Sequence, residues 1–209
     1  MIDWPSSYHY WSDFFCPLDR KKHKKNTTST IRIIGGEWRG RKLAVTPIEG
    51  LRPTGDRVRE TLFNWLMPYV HGSRCLDLFA GSGALGFEAL SRGSKFVQFA
   101  ELNPQAAQQL DTNLATLECS AANVFRGNGL TLLTPALGPF DIIFLDPPFA
   151  QDLWHDALTQ LVINGALHNH TLVYIEWPKA HPMALPAGWH SHREKHAGDV
   201  RYALYQWRG

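Results

Sequence analysis

The chain predicts an α/β fold: a mainly parallel sheet with helices on both faces, closed by a C-terminal antiparallel hairpin and preceded by a small basic β-hairpin. Three observations carry this. From residue 74 onward, short apolar runs of strand length alternate with segments of helical spacing, the signature of repeated strand–helix–strand units. A glycine-rich turn, Gly81-Ser82-Gly83-Ala84-Leu85-Gly86, stands between the first of those runs and the first of those helices. The last residues alternate polar and apolar on either side of Ala197-Gly198-Asp199, which reads as a hairpin and not as another crossover.

Taken in order, residues 1–30 are expected to form a flexible N-terminal extension. Trp4, Tyr8, Tyr10, Trp11, Phe14 and Phe15 follow neither a period of 2 nor one of 3.6, and the basic run 20–25 leads into Asn-Thr-Thr-Ser-Thr. Ile31–Ile34 and Arg41–Val45 are strand-like and flank Gly35-Gly36-Glu37-Trp38-Arg39-Gly40, so residues 31–50 predict a basic hairpin with an aromatic-tipped loop. Residues 51–209 hold the main domain. Arg52-Pro53-Thr54 opens a helix capped by Thr54 or Asp56, with Val58, Leu62, Trp65 and Leu66 on its apolar stripe, Arg57, Arg59 and Glu60 off it, and Pro68 as its stop. Strand 75–79, helix 84–92, strand 96–101 and helix 104–117 come next, the second helix capped by Asn103 with Pro104 in its first turn. Strands 124–126 and 140–145, helix 152–163, strand 172–176 and the antiparallel pair 190–195 and 200–207 bring the sheet to seven strands.

Composition narrows the function classes. A chain of 209 residues with 44% hydrophobic content buries one sizeable core and leaves room for an appendage. No apolar run reaches the roughly 18 residues of a membrane span, and the first residues lack the layout of a signal peptide, so a cytoplasmic protein without membrane contact is expected. Cys16, Cys75 and Cys119 are odd in number and far apart, which reads as reduced and structural. His168, His170, His181, His190, His192 and His196 lie without metal-ligand spacing, so no metal is expected. Of 21 Lys/Arg and 19 Asp/Glu, residues 20–59 hold 12 and 3, leaving 9 and 16 for the rest of the chain. A basic front on an acidic body is the electrostatic footprint of a nucleic-acid binder.

The chemistry sits where apolar strands end. Gly81 and Gly83 permit a tight turn and close backbone approach, and the helix after them offers free N–H groups to a nucleotide-like ligand. Asp77, just before the turn, adds a carboxylate. A pyrophosphate would be repelled by it, whereas a ligand carrying an ammonium or sulfonium is favoured, which tilts the reading from NAD towards S-adenosylmethionine. Glu101 lies 20 residues after Gly81 at the end of the second strand, placed to accept from ribose hydroxyls in either nucleotide reading. Asn128, after the third strand, offers an amide oxygen to an adenine amine or serves as a turn residue. Asp146-Pro147-Pro148-Phe149 closes the apolar run 140–145. Two prolines stiffen the backbone and remove two N–H donors, leaving carbonyl acceptors, a carboxylate and an aromatic face. Alone this is either a strand-exit turn or a clamp for a flat, amine-bearing ligand.

Together these motifs resemble S-adenosylmethionine-dependent amino-methyltransferases of the Rossmann-like class I fold, and among them the bacterial RsmD type, which methylates the exocyclic N2 of a guanine in small-subunit (16S) ribosomal RNA. The resemblance runs from about Ile31 to Trp207. It is carried by Ile31-Arg32-Ile33-Ile34-Gly35-Gly36, Trp38-Arg39-Gly40-Arg41-Lys42-Leu43, Arg52-Pro53-Thr54 with Arg57 to Asn64, the loop Asp77 to Gly86, and Asp146 to Phe149. Asn103 and Asn128 stand where such enzymes often carry acidic residues. The resemblance implies Asp146, Pro147 and Phe149 as the amine clamp; Thr54, Asp77, Phe79, Gly81, Gly83, Glu101 and Asn128 around the donor; and Arg32, Arg39, Arg41, Lys42, Arg52, Arg57 and Arg59 on RNA phosphates. It implies a monomer acting on small-subunit ribosomal RNA or the assembling 30S subunit. A DNA methyltransferase acting on adenine N6 or cytosine N4 uses the same clamp, but this chain has no recognisable target-recognition domain. An NAD-dependent oxidoreductase is the rival of another class, disfavoured by Asp77.

Overall fold

A computed structural model describes residues 29–47, 54–148, 153–183 and 185–209. The expected extension therefore lies almost wholly outside the described residues, as do Arg52 and Phe149. A hairpin comes first, β1 (Ser29–Arg32) antiparallel to β2 (Lys42–Val45), then helix α1 (Asp56–Leu66). The main sheet is built from β3 (Arg74–Asp77), α2 (Ala84–Ser91), β4 (Phe96–Glu101), α3 (Pro104–Thr116), β5 (Ala122–Arg126), the short α4 (Gly129–Leu132), β6 (Phe140–Leu145), α5 (Trp154–Ile163), β7 (Leu167–Pro178), β8 (Trp189–Ala197) and β9 (Val200–Trp207). Its order is β5-β4-β3-β6-β7-β9-β8, with β3 to β7 mutually parallel and the last two strands antiparallel. This is the architecture the alternating pattern predicts.

Because side chains alternate along a strand, the central strands feed two cores. Cys75, Ile142, Phe144, Leu172 and Tyr174 face α1, α2 and α3, while Leu76, Ile143, Leu145, Val173 and Ile175 face α5. Burial pushes the Cys75 thiol up to about 12, so it stays protonated and inert.

The front hairpin does not project from the body. Ile31, Ile33, Leu43 and Val45 are buried in the first core, and the loop between the strands is pinned to α2. Ile34 and Gly35 donate their N–H groups to Glu88 at 2.8 Å each, Trp38 N–H donates to Ser91 Oγ at 2.9 Å, and Ser91 Oγ donates to the Gly35 carbonyl at 2.6 Å. Gly36, at φ 76°, lies so close that a Cβ there would stand 1.8 Å from the Ser91 carbonyl oxygen.

Helix α1 corrects two expectations. Its N-cap is Gly55, with no side-chain cap bond, so neither Thr54 nor Asp56 caps it. Thr54 points to the end of the sheet, and Asp56 is already helical and paired with Arg59 at 2.7 Å. Arg59 itself is 1% exposed. It donates to Asp56 and, at 2.9 Å, to the Arg32 carbonyl, and lies 3.7 Å from the fully buried Glu88, which also takes Arg92 at 2.7 Å. The expectation that Arg59 meets RNA phosphate is corrected: it is an interior strut between helix, hairpin and α2.

Candidate active site

From β3 the chain steps outward to β4 and β5, then returns to lay β6 on the other side of β3. Such a reversal opens a crevice beyond the carboxyl ends of the strands, the binding place of open α/β sheets. Asp77 ends β3, and Asp146-Pro147-Pro148 leaves β6 beside it, since Asp77 pairs with Phe144. The sequence-predicted carboxylates thus converge on one crevice.

The glycine turn shapes one wall. Gly81 and Gly83 adopt φ of 52° and 75°, and a Cβ on Gly83 would lie 2.5 Å from Leu110 and 2.6 Å from Phe87. Gly83 is the N-cap of α2 without a side-chain bond, so the helix presents its backbone start to the crevice. Glu101 ties this turn to the next one. Its Oε2 accepts from Gly81 N–H and its Oε1 from Asn103 N–H, both at 2.7 Å, and each oxygen keeps a lone pair for a ligand hydroxyl. Asn103 caps α3 through Gln105 and Ala106, as its position before Pro104 predicts. Phe79 is half-buried in the turn, and Leu102, 67% exposed beside Glu101, offers an apolar surface that sequence reasoning passes over. Asn128 is exposed, but its amide oxygen already accepts from Leu130 N–H at 3.0 Å, capping α4. An adenine amine would have to share that oxygen.

Asp77 is 4% exposed, and its Oδ2 accepts from Gly86 N–H at 3.0 Å. Burial raises its pKa to about 7, the Gly86 bond pulls it back, and the neighbouring Glu101 charge pushes it further up. Asp146 is more open. Its Oδ2 accepts from the Thr54 hydroxyl at 3.4 Å, and its pKa is raised by desolvation first, then by Glu176 and Asp77, against the Thr54 bond. Pro147 is buried and Pro148 exposed.

Glu176 is a site residue that sequence reasoning does not single out. It is 7% exposed, accepts from Tyr174 Oη at 2.8 Å, and stands at the end of β7 next to Asp146, because Leu145 pairs with Ile175. Burial raises its pKa, opposed by its bonds to Tyr174 and Thr54. The signal is present in the sequence: a carboxyl closing an apolar strand, as at Asp77, Glu101 and Asp146.

Arg32, Arg39, Arg41, Lys42 and Arg57 are exposed, as a phosphate-binding surface requires. Among the described residues, no group of His, Cys, Asp and Glu suits a metal ion. No helix there is long and apolar enough to cross a membrane.

A glycine turn after the first strand of this sheet, an acid ending the second and an acid-Pro-Pro turn after the fourth define a Rossmann-like methyltransferase. The solved structure of yhhF from Escherichia coli has the same fold: TM-score 0.78, 49% identity, covering 87% of this chain and 99% of that one. The chain belongs to the family described as Conserved hypothetical protein 95, whose model matches residues 31–206. It is 52% identical over 191 residues to the Ribosomal RNA small subunit methyltransferase D of Haemophilus influenzae, covering 90% of this chain and 99% of the relative. The protein of the same name from Escherichia coli strain K12 is 48% identical over 187 residues, covering 89% and 94%.

Proposed function

We propose that this methyltransferase moves a methyl group from S-adenosylmethionine to the exocyclic N2 amine of one guanine in small-subunit ribosomal RNA, free or in the assembling subunit, acting as a cytoplasmic monomer. The observation that carries this is the placement of Asp146-Pro147 at the switch point, facing Asp77 and the glycine turn, in a chain whose curated relatives bear that ribosomal RNA name.

The crevice suits the donor on chemical grounds. Gly83 starts α2 without a side-chain cap and so leaves its first N–H groups free, Glu101 retains acceptor capacity for ribose hydroxyls, and the buried Asp77 favours a cation and disfavours a pyrophosphate. Gly81, Gly83, Asp77, Phe79, Glu101 and Asn128 would hold it. When bound, it supplies an electrophilic methyl group on a sulfonium.

The protein's part is to prepare the nucleophile. A guanine N2 lone pair is delocalised into the ring, so the amine must be oriented before it can attack. Asp146 and the Pro147 carbonyl accept its two N–H bonds and turn the lone pair out of the ring plane. As the new bond to carbon forms, positive charge grows on nitrogen, Asp146 stabilises it, and a proton then leaves the nitrogen. Phe149 gives the flipped base a stacking face. Arg32, Arg39, Arg41, Lys42, Arg52 and Arg57 hold phosphates around it.

The test is methyl transfer from a tritium-labelled donor to purified small-subunit RNA and to isolated small subunits, with the product mapped by mass spectrometry. Label on N2 of a single guanine is expected. Label on adenine, or none on either substrate, overturns the reading. Asp146→Ala should abolish turnover while donor binding, monitored by calorimetry, persists.

A further inference from the structure

We infer that the cavity between the front hairpin and α1 receives one unpaired guanine of the substrate RNA, a base other than the one methylated. Glu60 accepts from its Watson–Crick edge and Arg39 holds its phosphate. This rests on ribosomal RNA being the substrate.

The cavity holds about 260 Å³ and is lined by Arg32, Ile33, Ile34, Arg39 and Gly40 from the hairpin and by Asp56 and Glu60 from α1. Clefts for small molecules begin at roughly 300 Å³, so this one suits a single flat group of nucleobase size with its phosphate at the mouth. Its walls are fixed from behind. Arg59 donates to the Arg32 carbonyl at 2.9 Å, Gly40 N–H donates to the Ile33 carbonyl at 2.8 Å, and Ile34 N–H is held by Glu88. Among the described residues, no atom lies within 4 Å of where a Cβ on Gly40 would stand, so a flat ring can approach that backbone.

The charges on these walls are unequally used. Asp56 takes both Arg59 and Arg32. Arg39 and Glu60 are exposed, and among the described residues neither makes an ion pair or a side-chain hydrogen bond, with the other or with any third group. A guanidinium and a carboxylate that line one cavity without meeting leave a gap for a ligand with an anion at one end and N–H donors at the other. A nucleotide is such a ligand. Glu60 also needs a reason to stand among Arg32, Arg39, Arg41 and Lys42, because a carboxylate on that face repels phosphate. An ionised carboxylate accepts through two oxygens and does not donate. Guanine alone among the RNA bases presents two adjacent donors, N1–H and N2–H, on its Watson–Crick edge, the edge that unpaired RNA exposes to side chains. Adenine and cytosine alternate donor with acceptor there, and uracil sets one N–H between two carbonyls, so each would turn a lone pair towards Glu60.

Amide shifts of the isotope-labelled protein, titrated with guanosine, adenosine and inosine monophosphate, test this. They separate the cavity from the crevice, since Gly40 and Arg41 report the first and Gly81 and Gly83 the second. Guanosine monophosphate is expected to shift Gly40 and Arg41 and to saturate there. Adenosine monophosphate, and inosine monophosphate without the N2 amine, bind there about tenfold more weakly, as loss of a bidentate contact requires. Glu60→Gln, whose amide offers a donor beside an acceptor, brings the guanosine and adenosine affinities level, while Arg39→Ala weakens all three alike. In methylation assays Glu60→Gln raises KM for small-subunit RNA by about tenfold. Equal guanosine and adenosine affinities at Gly40 in the wild type, shifts confined to Gly81 and Gly83, or a discrimination and KM that survive Glu60→Gln overturn the inference. If the wild type methylates no RNA, the proposed function fails instead, and the Gly40 shifts still decide what the cavity binds.

Discussion

At the residue scale, Asp77 makes the crevice beside the glycine turn sensitive to pH. Its folded-state pKa is raised from 3.8 to about 7, so the stability it contributes is fully present below its unfolded value and is lost as pH rises through about 7. For a group 4% exposed this amounts to a few kcal/mol in order of magnitude. The ligand-free protein should therefore melt at a lower temperature at pH 8 than at pH 6, and Asp77→Asn should remove most of that difference. A cationic ligand reverses the preference, since it binds the ionised form. Below pH 7, binding of S-adenosylmethionine should release a proton and tighten by about tenfold per pH unit, read by calorimetry in buffers of different ionisation heat; equal heats in all buffers at pH 6 would sink the idea. Asp77, Glu101 and Asp146 are legible in the sequence because each closes an apolar run beside a turn motif. Glu176 closes one too, but no motif stands after it, and its relation to Asp146 exists only in the strand register. Arg59 escapes the sequence for a related reason. One helix alone shows it off the apolar stripe, and the partner that buries it, Glu88, lies on α2.

At the element scale, Glu88 is the joint between the front hairpin and the body. It is fully buried and takes two hairpin N–H groups, Arg92 and the charge of Arg59. Removing one member of a buried ionic cluster leaves the others uncompensated, which costs about 3–5 kcal/mol. Glu88→Ala should destabilise the protein by that order in denaturant unfolding and should speed hydrogen exchange at Ile34 and Gly35 before the sheet amides; slow exchange at both would refute the joint. Strands 96–101, 140–145 and 200–207 have the bounds their apolar runs predict, because charged residues and glycines cut those runs off sharply. Helix α4, four residues long, is too short for periodicity to register. The start of α1 departs from its expected cap because the cap is a glycine without a side chain. The polar beginning of β7 is not legible because Leu167–Thr171 lacks an apolar run, pairs across an irregular register and carries His170 at φ 82°.

At the scale of the whole molecule, the net charge of +2 conceals a basic front over residues 20–59, to which the hairpin contributes Arg32, Arg39, Arg41 and Lys42. The contacts place that front at the crevice. Thr54, one residue before the α1 cap, touches Asp146, and Asp56 in the first turn pairs with Arg32 of β1 at 3.4 Å. That exposed pair contributes little to stability, so Arg32 can exchange Asp56 for a phosphate at small cost. RNA held along Arg32, Arg39, Arg41, Lys42 and Arg57 would therefore enter the crevice from the α1 side, with a flipped base reaching Asp146. On that reading, reversing Arg39 and Arg41 to Glu removes two of the proposed phosphate contacts. The slope of log affinity against log salt should flatten by about 1.4–1.8, at roughly 0.7 to 0.9 per contact. KM for RNA should rise while kcat at saturating RNA holds, since neither residue meets the reacting atoms. An unchanged slope with unchanged KM would place the RNA elsewhere on the molecule, and the front hairpin would then serve only to cover α2.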